Sequence, residues 1–146
     1  MGARNVDEET IRRWISEAIA NGGGGASSLV YTAFVTQANA LADPVSTILQ
    51  NTTDALQWIT AGDGEYRLNG TFPQNKTYIS GFGDFGDAGV PCLPITDSGD
   101  IVGYYFMYAN GTNVVLWVMD AAFAQVTLFS LIGTSRLYLP KIEVYP

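Results

Sequence analysis

The sequence predicts an all-β fold, an antiparallel β-sandwich or jelly-roll-like body, preceded by a short N-terminal α-helix and a glycine-rich tether. Two observations carry the β assignment. Residues 29–146 fall into short runs rich in β-branched and aromatic residues, and turn signals separate those runs at close intervals. A third observation sets the first 28 residues apart: their apolar residues recur at helical spacing, and the pattern stops at Asn21 and the four glycines 22–25. The chain therefore divides into an anchoring or oligomerisation helix over residues 1–21, a linker over 22–28 and a β-sandwich domain over 29–146.

The helix is expected over residues 7–20. Asn5 can cap it, Glu8 stands three residues on in the capping-box relation, and Asn21-Gly22 ends it. Ile11, Trp14, Ile15, Ala18 and Ile19 form one apolar stripe, with Arg12, Arg13, Ser16 and Glu17 on the opposite face. Isolated helices of ~12–15 residues are marginal in water, so the stripe needs a partner. Consecutive glycines are a poor way to fix a packing angle against the chain's own domain. The stripe is therefore expected to meet copies of itself or a groove in a larger assembly.

Strands are expected over residues 29–38, 45–50, 56–60, 65–69, 77–82, 101–109, 113–119, 124–129 and 136–145. The first alternates Tyr31, Ala33 and Val35 against Thr32, Phe34 and Thr36. The last alternates Ile142 and Val144 against Lys141, Glu143 and Tyr145. Turns are expected at Ala42-Asp43-Pro44, over residues 61–64, at Asn69-Gly70, over residues 72–75 and 97–100, and at Asn110-Gly111. The unbroken apolar run over residues 114–119 implies a strand covered on both faces, with a subunit interface as the second cover.

Residues 81–89, Gly-Phe-Gly-Asp-Phe-Gly-Asp-Ala-Gly, read as a long irregular loop, continued by Val90-Pro91-Cys92-Leu93-Pro94. Phe82, Asp84, Phe85 and Asp87 are its candidate ligand-facing residues. A phosphate-binding reading fails, because the segment has no Lys and its aspartates would repel phosphate. Asp84 and Asp87 with Asp97 and Asp100 offer oxygen ligands to Ca²⁺, but without any recognised calcium-loop spacing they read as solvated turn acids.

Chemistry is mostly excluded by composition. The chain has no histidine, which removes the usual general base and the commonest metal ligand. Cys92 stands alone, so no intrachain disulfide forms, and it reads as a small hydrophobe. A carboxylate pair such as Asp63 and Glu65 is better explained as the polar part of a hairpin. Tyr104, Tyr105 and Tyr108, like Phe82 and Phe85, could stack on sugar rings, although packing is the default role of aromatics in a β protein. No enzymatic activity, cofactor or metal is expected.

The net charge of −7 resides mainly beyond residue 21, where four cations face ten acids; without a basic stripe, nucleic acid is not an expected partner. Apolar content of 47% with only 14% charged residues implies surface buried against other subunits. The charges at Asp7, Glu8, Glu9, Arg12 and Arg13 rule out a secretory signal in the first segment, and no apolar run is long enough for a membrane helix. Synthesis in a cytoplasm is therefore expected. Four Asn-x-Thr sequons, at Asn51, Asn69, Asn75 and Asn110, then reflect turn chemistry rather than glycosylation.

The order of landmarks carries a resemblance. Tyr31-Thr32-Ala33 is followed by Pro44-Val45-Ser46-Thr47-Ile48-Leu49-Gln50-Asn51-Thr52, then Gln57-Trp58, Gly64-Glu65-Tyr66, Gly70-Thr71-Phe72 and Asn75-Lys76-Thr77, with Ile142-Glu143-Val144-Tyr145-Pro146 at the close. This resembles a β-rich module of tailed-bacteriophage structural proteins, of the fibre, spike or head-decoration type. Residues 81–94 depart from that pattern. The resemblance implies a virion structural role, a homotrimer and partners among capsid or tail components, and it carries no active-site residues. The alternative expectation is a carbohydrate-binding module that recognises a host-surface glycan through its loops.

Overall fold

Side-chain alternation fixes the first strand, β1 (Leu29–Thr36): Tyr31, Ala33 and Val35 are buried, while Thr32, Phe34 and Thr36 lie half-covered on the other face. The computed structural model describes residues 10, 13, 28–80 and 92–146. The expected helix and tether fall outside that set apart from Thr10, Arg13 and Ser28. Nine further strands are described: β2 (Val45–Asn51), β3 (Trp58–Gly62), β4 (Glu65–Asn69), β5 (Thr77–Ile79), β6 (Leu93–Asp97), β7 (Asp100–Ala109), β8 (Asn113–Asp120), β9 (Leu137–Tyr138) and β10 (Ile142–Val144).

The strands form two antiparallel sheets. The first has the order β2-β1-β10-β5, and β9 also pairs with β1, beyond β10. The second has the order β3-β4-β8-β7-β6. Their inner faces share one core, which joins Tyr31, Val35, Ile142 and Val144 of the first sheet to Trp58, Tyr66, Leu68, Met107, Leu116 and Val118 of the second. Full burial of each such side chain contributes about 1.5–3 kcal/mol. The arrangement is a sandwich-like all-β fold. The strands β6, β7 and β8 follow one another as a meander in one sheet, rather than alternating between sheets as jelly-roll strands do.

Several turns form as their residues dictate. Ser98 and Gly99 both have positive φ, 53° and 87°, and close the tight β6–β7 hairpin. At the β7–β8 turn, Asn110 Oδ1 accepts from the backbone N–H groups of Thr112 and Asn113 at 3.2 and 2.9 Å. Gly64, with φ 77°, turns β3 into β4, and a Cβ there would press into the carbonyl oxygens of Val126 and Val118.

Other expectations are corrected. Residues 124–129 do not form a strand. Residues 128–132 form a short helix, α1 (Leu128–Ile132), which buries Leu128 and Ile132 one turn apart. Thr127 caps it by accepting from Ser130 N at 3.2 Å. The run 136–145 splits into β9 and β10 around Pro140, which has no N–H to give a ladder; Leu139 N still reaches Ala33 O at 3.0 Å. Part of the irregular segment expected over 90–94 belongs to β6, an edge strand that tolerates Pro94. Asn69-Gly70 makes no hairpin, because β4 already pairs with β3 and β8 and the chain leaves for the other sheet. The second cover of residues 114–119 comes from within the chain. Val115 and Met119 are buried, with Arg67 and Tyr108 flanking Val115 and Tyr104 opposite Met119 across the ladders.

Candidate interaction surface

Strand β2 is the least covered strand of the core-forming sheets: every residue but Ser46 is exposed, although it contains Val45, Ile48 and Leu49. Ile48 keeps 50% of its surface, Leu49 55% and nearby Leu56 80%. Burying side chains of this size gains about 1.5–3 kcal/mol each, so covering this surface would be favourable. A pairing irregularity opposite Thr32 and Ala33 leaves Leu49 as the extra residue of a bulge.

Between β2 and the start of β3 the two sheets part into a groove of about 330 Å³, with Pro44, Val45 and Ile48 on one side and Leu56 and Trp58 on the other. Trp58 is 1% exposed and donates from Nε1 to the Tyr31 hydroxyl at 3.3 Å. That hydroxyl shares a second hydrogen bond, 2.8 Å long, with Ser46 Oγ. The polar groups beneath the groove are thus satisfied by one another, and what it offers outward is mostly apolar.

The loop that follows β1 shapes one end of the groove. Gln37 is fully buried; its Oε1 accepts from the Tyr66 hydroxyl at 3.0 Å and from Phe129 N at 2.9 Å, and its Nε2 donates to Ala42 O at 2.8 Å. The Tyr66 hydroxyl in turn accepts from Leu128 N at 2.9 Å, so one network satisfies two orphan N–H groups at the start of α1. Asp43, six residues after Gln37, accepts from Thr60 N at 2.7 Å. The Thr60 backbone N–H, and next its hydroxyl, hold the Asp43 carboxyl below the usual aspartate range.

A second surface lies on the outer face of the other sheet. Phe106 stands between Tyr108, at 6.0 Å, and Trp117, at 5.8 Å, with rings inclined by 22° and 18°. Tyr104 stacks on Phe123 at 5.0 Å. Rings in near-parallel rows turn their faces to each other and their edges outward. Phe123 is 61% exposed and has φ 66°, an unusual conformation for a bulky residue. Beside the row, Arg67 pairs with Glu65 at 2.8 Å. That exposed pair contributes little to stability.

The sequence-derived candidates distribute unevenly. Ile11, Trp14, Ile15, Ala18 and Ile19 lie outside the described residues, as do Phe82, Asp84, Phe85 and Asp87. Tyr104 and Tyr108 join the outer aromatic row, whereas Tyr105 is in the core. Asp97 and Asp100 face each other at the base of the β6–β7 turn. Cys92 is a half-buried free thiol. Among the described residues no group of three or more Cys, Asp or Glu side chains could hold a metal, and no helix is long and apolar enough to cross a membrane. The β2 surface was missed by sequence reasoning; its available signal is the charge-free stretch over residues 44–53, bounded by Asp43 and Asp54. Comparison of the chain with family models, with characterised proteins and with solved structures gives no match.

Proposed function

We propose that this chain is a self-assembling structural component of a tailed-bacteriophage particle, a head fibre, decoration or short tail-fibre protein, made in the host cytoplasm and incorporated into the virion. The single observation that carries self-assembly is the gathering of exposed Val45, Ile48, Leu49 and Leu56 at one border of a chain whose net charge is −7. Such a patch is costly on a free monomer and ordinary on a subunit. The phage assignment rests on the resemblance over residues 31–77 and the last five residues. The apolar stripe of residues 11–19 serves as the trimerising or docking element, toward its own copies or a capsid or tail protein. Trp14→Glu with Ile15→Glu in the full chain is expected to lower the oligomeric mass while the β domain stays folded; an unchanged mass contradicts that role.

A second reading, binding of a host-surface glycan, is favoured by Phe123. A large exposed ring held at positive φ is a feature that function can explain. Phe123 lies in the loop between β8 and α1, where it stacks on Tyr104 at the border of the sheet. Glycan-array binding lost on Phe123→Ala supports this reading, and an array without any signal for the native chain removes it.

A further inference from the structure

In an Asn-Gly pair the glycine nitrogen can attack the asparagine side chain, since glycine sets no Cβ in the way. The sequence holds three such pairs: Asn21-Gly22, Asn69-Gly70 and Asn110-Gly111. The first lies outside the described residues. The other two share their local chemistry and differ in their surroundings.

Asn69 ends β4 and is held on both sides. Its N–H donates to Gln57 O at 3.0 Å, its carbonyl accepts from Leu56 N at 2.9 Å, and Asn113 of β8 stands opposite it in the ladder. Gly70 is hemmed in, because a Cβ there would stand 2.6 Å from the Phe72 ring and 3.1 Å from Ala55 Cα. The peptide between Asn69 and Gly70 has little room to swing.

Asn110 and Gly111 are exposed in the β7–β8 turn. Gly111 has φ 105° and open space where a Cβ would stand, and among the described residues its N–H has no acceptor. The Asn110 side-chain carbonyl is engaged. Its Oδ1 accepts from Asn113 N at 2.9 Å, from Thr112 N at 3.2 Å and from the Thr112 hydroxyl at 3.4 Å. These donors point at the atom on which negative charge gathers when a nucleophile adds to Cγ, as in an oxyanion hole. The nucleophile is the adjoining peptide nitrogen, so no encounter is needed.

We infer that Asn110 is a self-modifying site, at which the Gly111 nitrogen of the folded protein converts the residue to aspartate and isoaspartate. Hydroxide takes the Gly111 amide proton, the nitrogen bonds to Cγ, and an electron pair moves onto Oδ1. That pair returns as the Cγ–Nδ2 bond breaks, and ammonia leaves with a proton from water. A five-membered succinimide remains. Water then adds to one of its carbonyls: opening at Cγ gives aspartate, and opening at the backbone carbonyl gives isoaspartate, whose main chain is one carbon longer. Either product adds a negative charge to a chain already at −7. Isoaspartate also lengthens the link between the strands and disturbs the closing bond from Asn110 N to Asn113 O, now 3.0 Å.

The test incubates the full-length chain at mildly alkaline pH, folded and in urea. Peptide mapping by mass spectrometry reads each asparagine separately, and an isoaspartyl methyltransferase reports isoaspartate. In urea, Asn69 and Asn110 are expected to react at similar rates. In the folded chain Asn110 is expected to react at least as fast as in urea, and Asn69 at least about tenfold more slowly, since it must wait for local opening. Gly111→Pro, which has no N–H, is expected to stop the reaction at Asn110 in urea, where folding does not matter, and to spare Asn69. A folded chain in which Asn110 reacts more slowly than in urea, or in which Asn69 keeps pace with it, overturns the assignment. A product that is aspartate alone shows direct hydrolysis by water and overturns the attack by Gly111.

Discussion

Tyr66 and Gln37 are joined by a 3.0 Å hydrogen bond across the core, from the Tyr66 hydroxyl to Gln37 Oε1, and both side chains are fully buried. The bond links a strand of the second sheet to the residue that follows β1, and the same two side chains serve the first N–H groups of α1. Buried polar groups are costly only when left alone, and here each has its partner.

Gln37→Leu removes the acceptor of the Tyr66 hydroxyl and of Phe129 N while leaving the volume similar. Each group stranded without a partner costs about 1–3 kcal/mol, so a total loss of about 2–6 kcal/mol is expected from urea denaturation. The loop bearing Asp43 also loses its tie at Ala42, and faster amide exchange at Thr60 is expected with it.

Two turn glycines separate conformational from steric constraint. Gly99, at φ 87°, has open space where a Cβ would stand, so Gly99→Ala is expected to cost about 1 kcal/mol, from the positive φ alone. Gly64, at φ 77°, has the Val126 and Val118 carbonyls there, so Gly64→Ala is expected to cost more than about 2 kcal/mol. Urea midpoints of the two variants measured side by side check the order.

Alkaline pH is expected to weaken the fold through buried phenols. Burial pushes Tyr105 up to about 12 and also raises Tyr66, where hydrogen bonds from Leu128 and with Gln37 oppose part of the effect. The unfolded chain gives up these protons near pH 10 and the folded chain only above it. Their contribution is therefore complete below pH 10 and declines as the pH rises from about 10 to about 12. The urea midpoint against pH is expected to fall less steeply over that window in Tyr105→Phe.

The two-sheet architecture was legible because burial and alternation coincide. Tyr31, Ala33 and Val35 face the core as their spacing requires, and the turns at 97–100 and 110–111 carry the residues such turns demand. The misread segments share a cause. Residues 124–129 have β-like composition, yet Thr127 as a cap and the partners offered by Tyr66 and Gln37 turn the following residues into a helix. Those partners lie 62 and 92 positions away in the chain, beyond the reach of local propensity. The β2 surface was hidden for a related reason: a strand's sequence does not say whether it ends a sheet. Only the pairing, with β1 on one side of β2 and no strand among the described residues on the other, makes its apolar residues conspicuous.

Self-assembly is the central claim, and the mass of the purified full-length chain tests it most directly. Sedimentation equilibrium from low to high micromolar concentration is expected to give a multiple of 15.7 kDa that declines on dilution. A constant mass of 15.7 kDa across that range would contradict it.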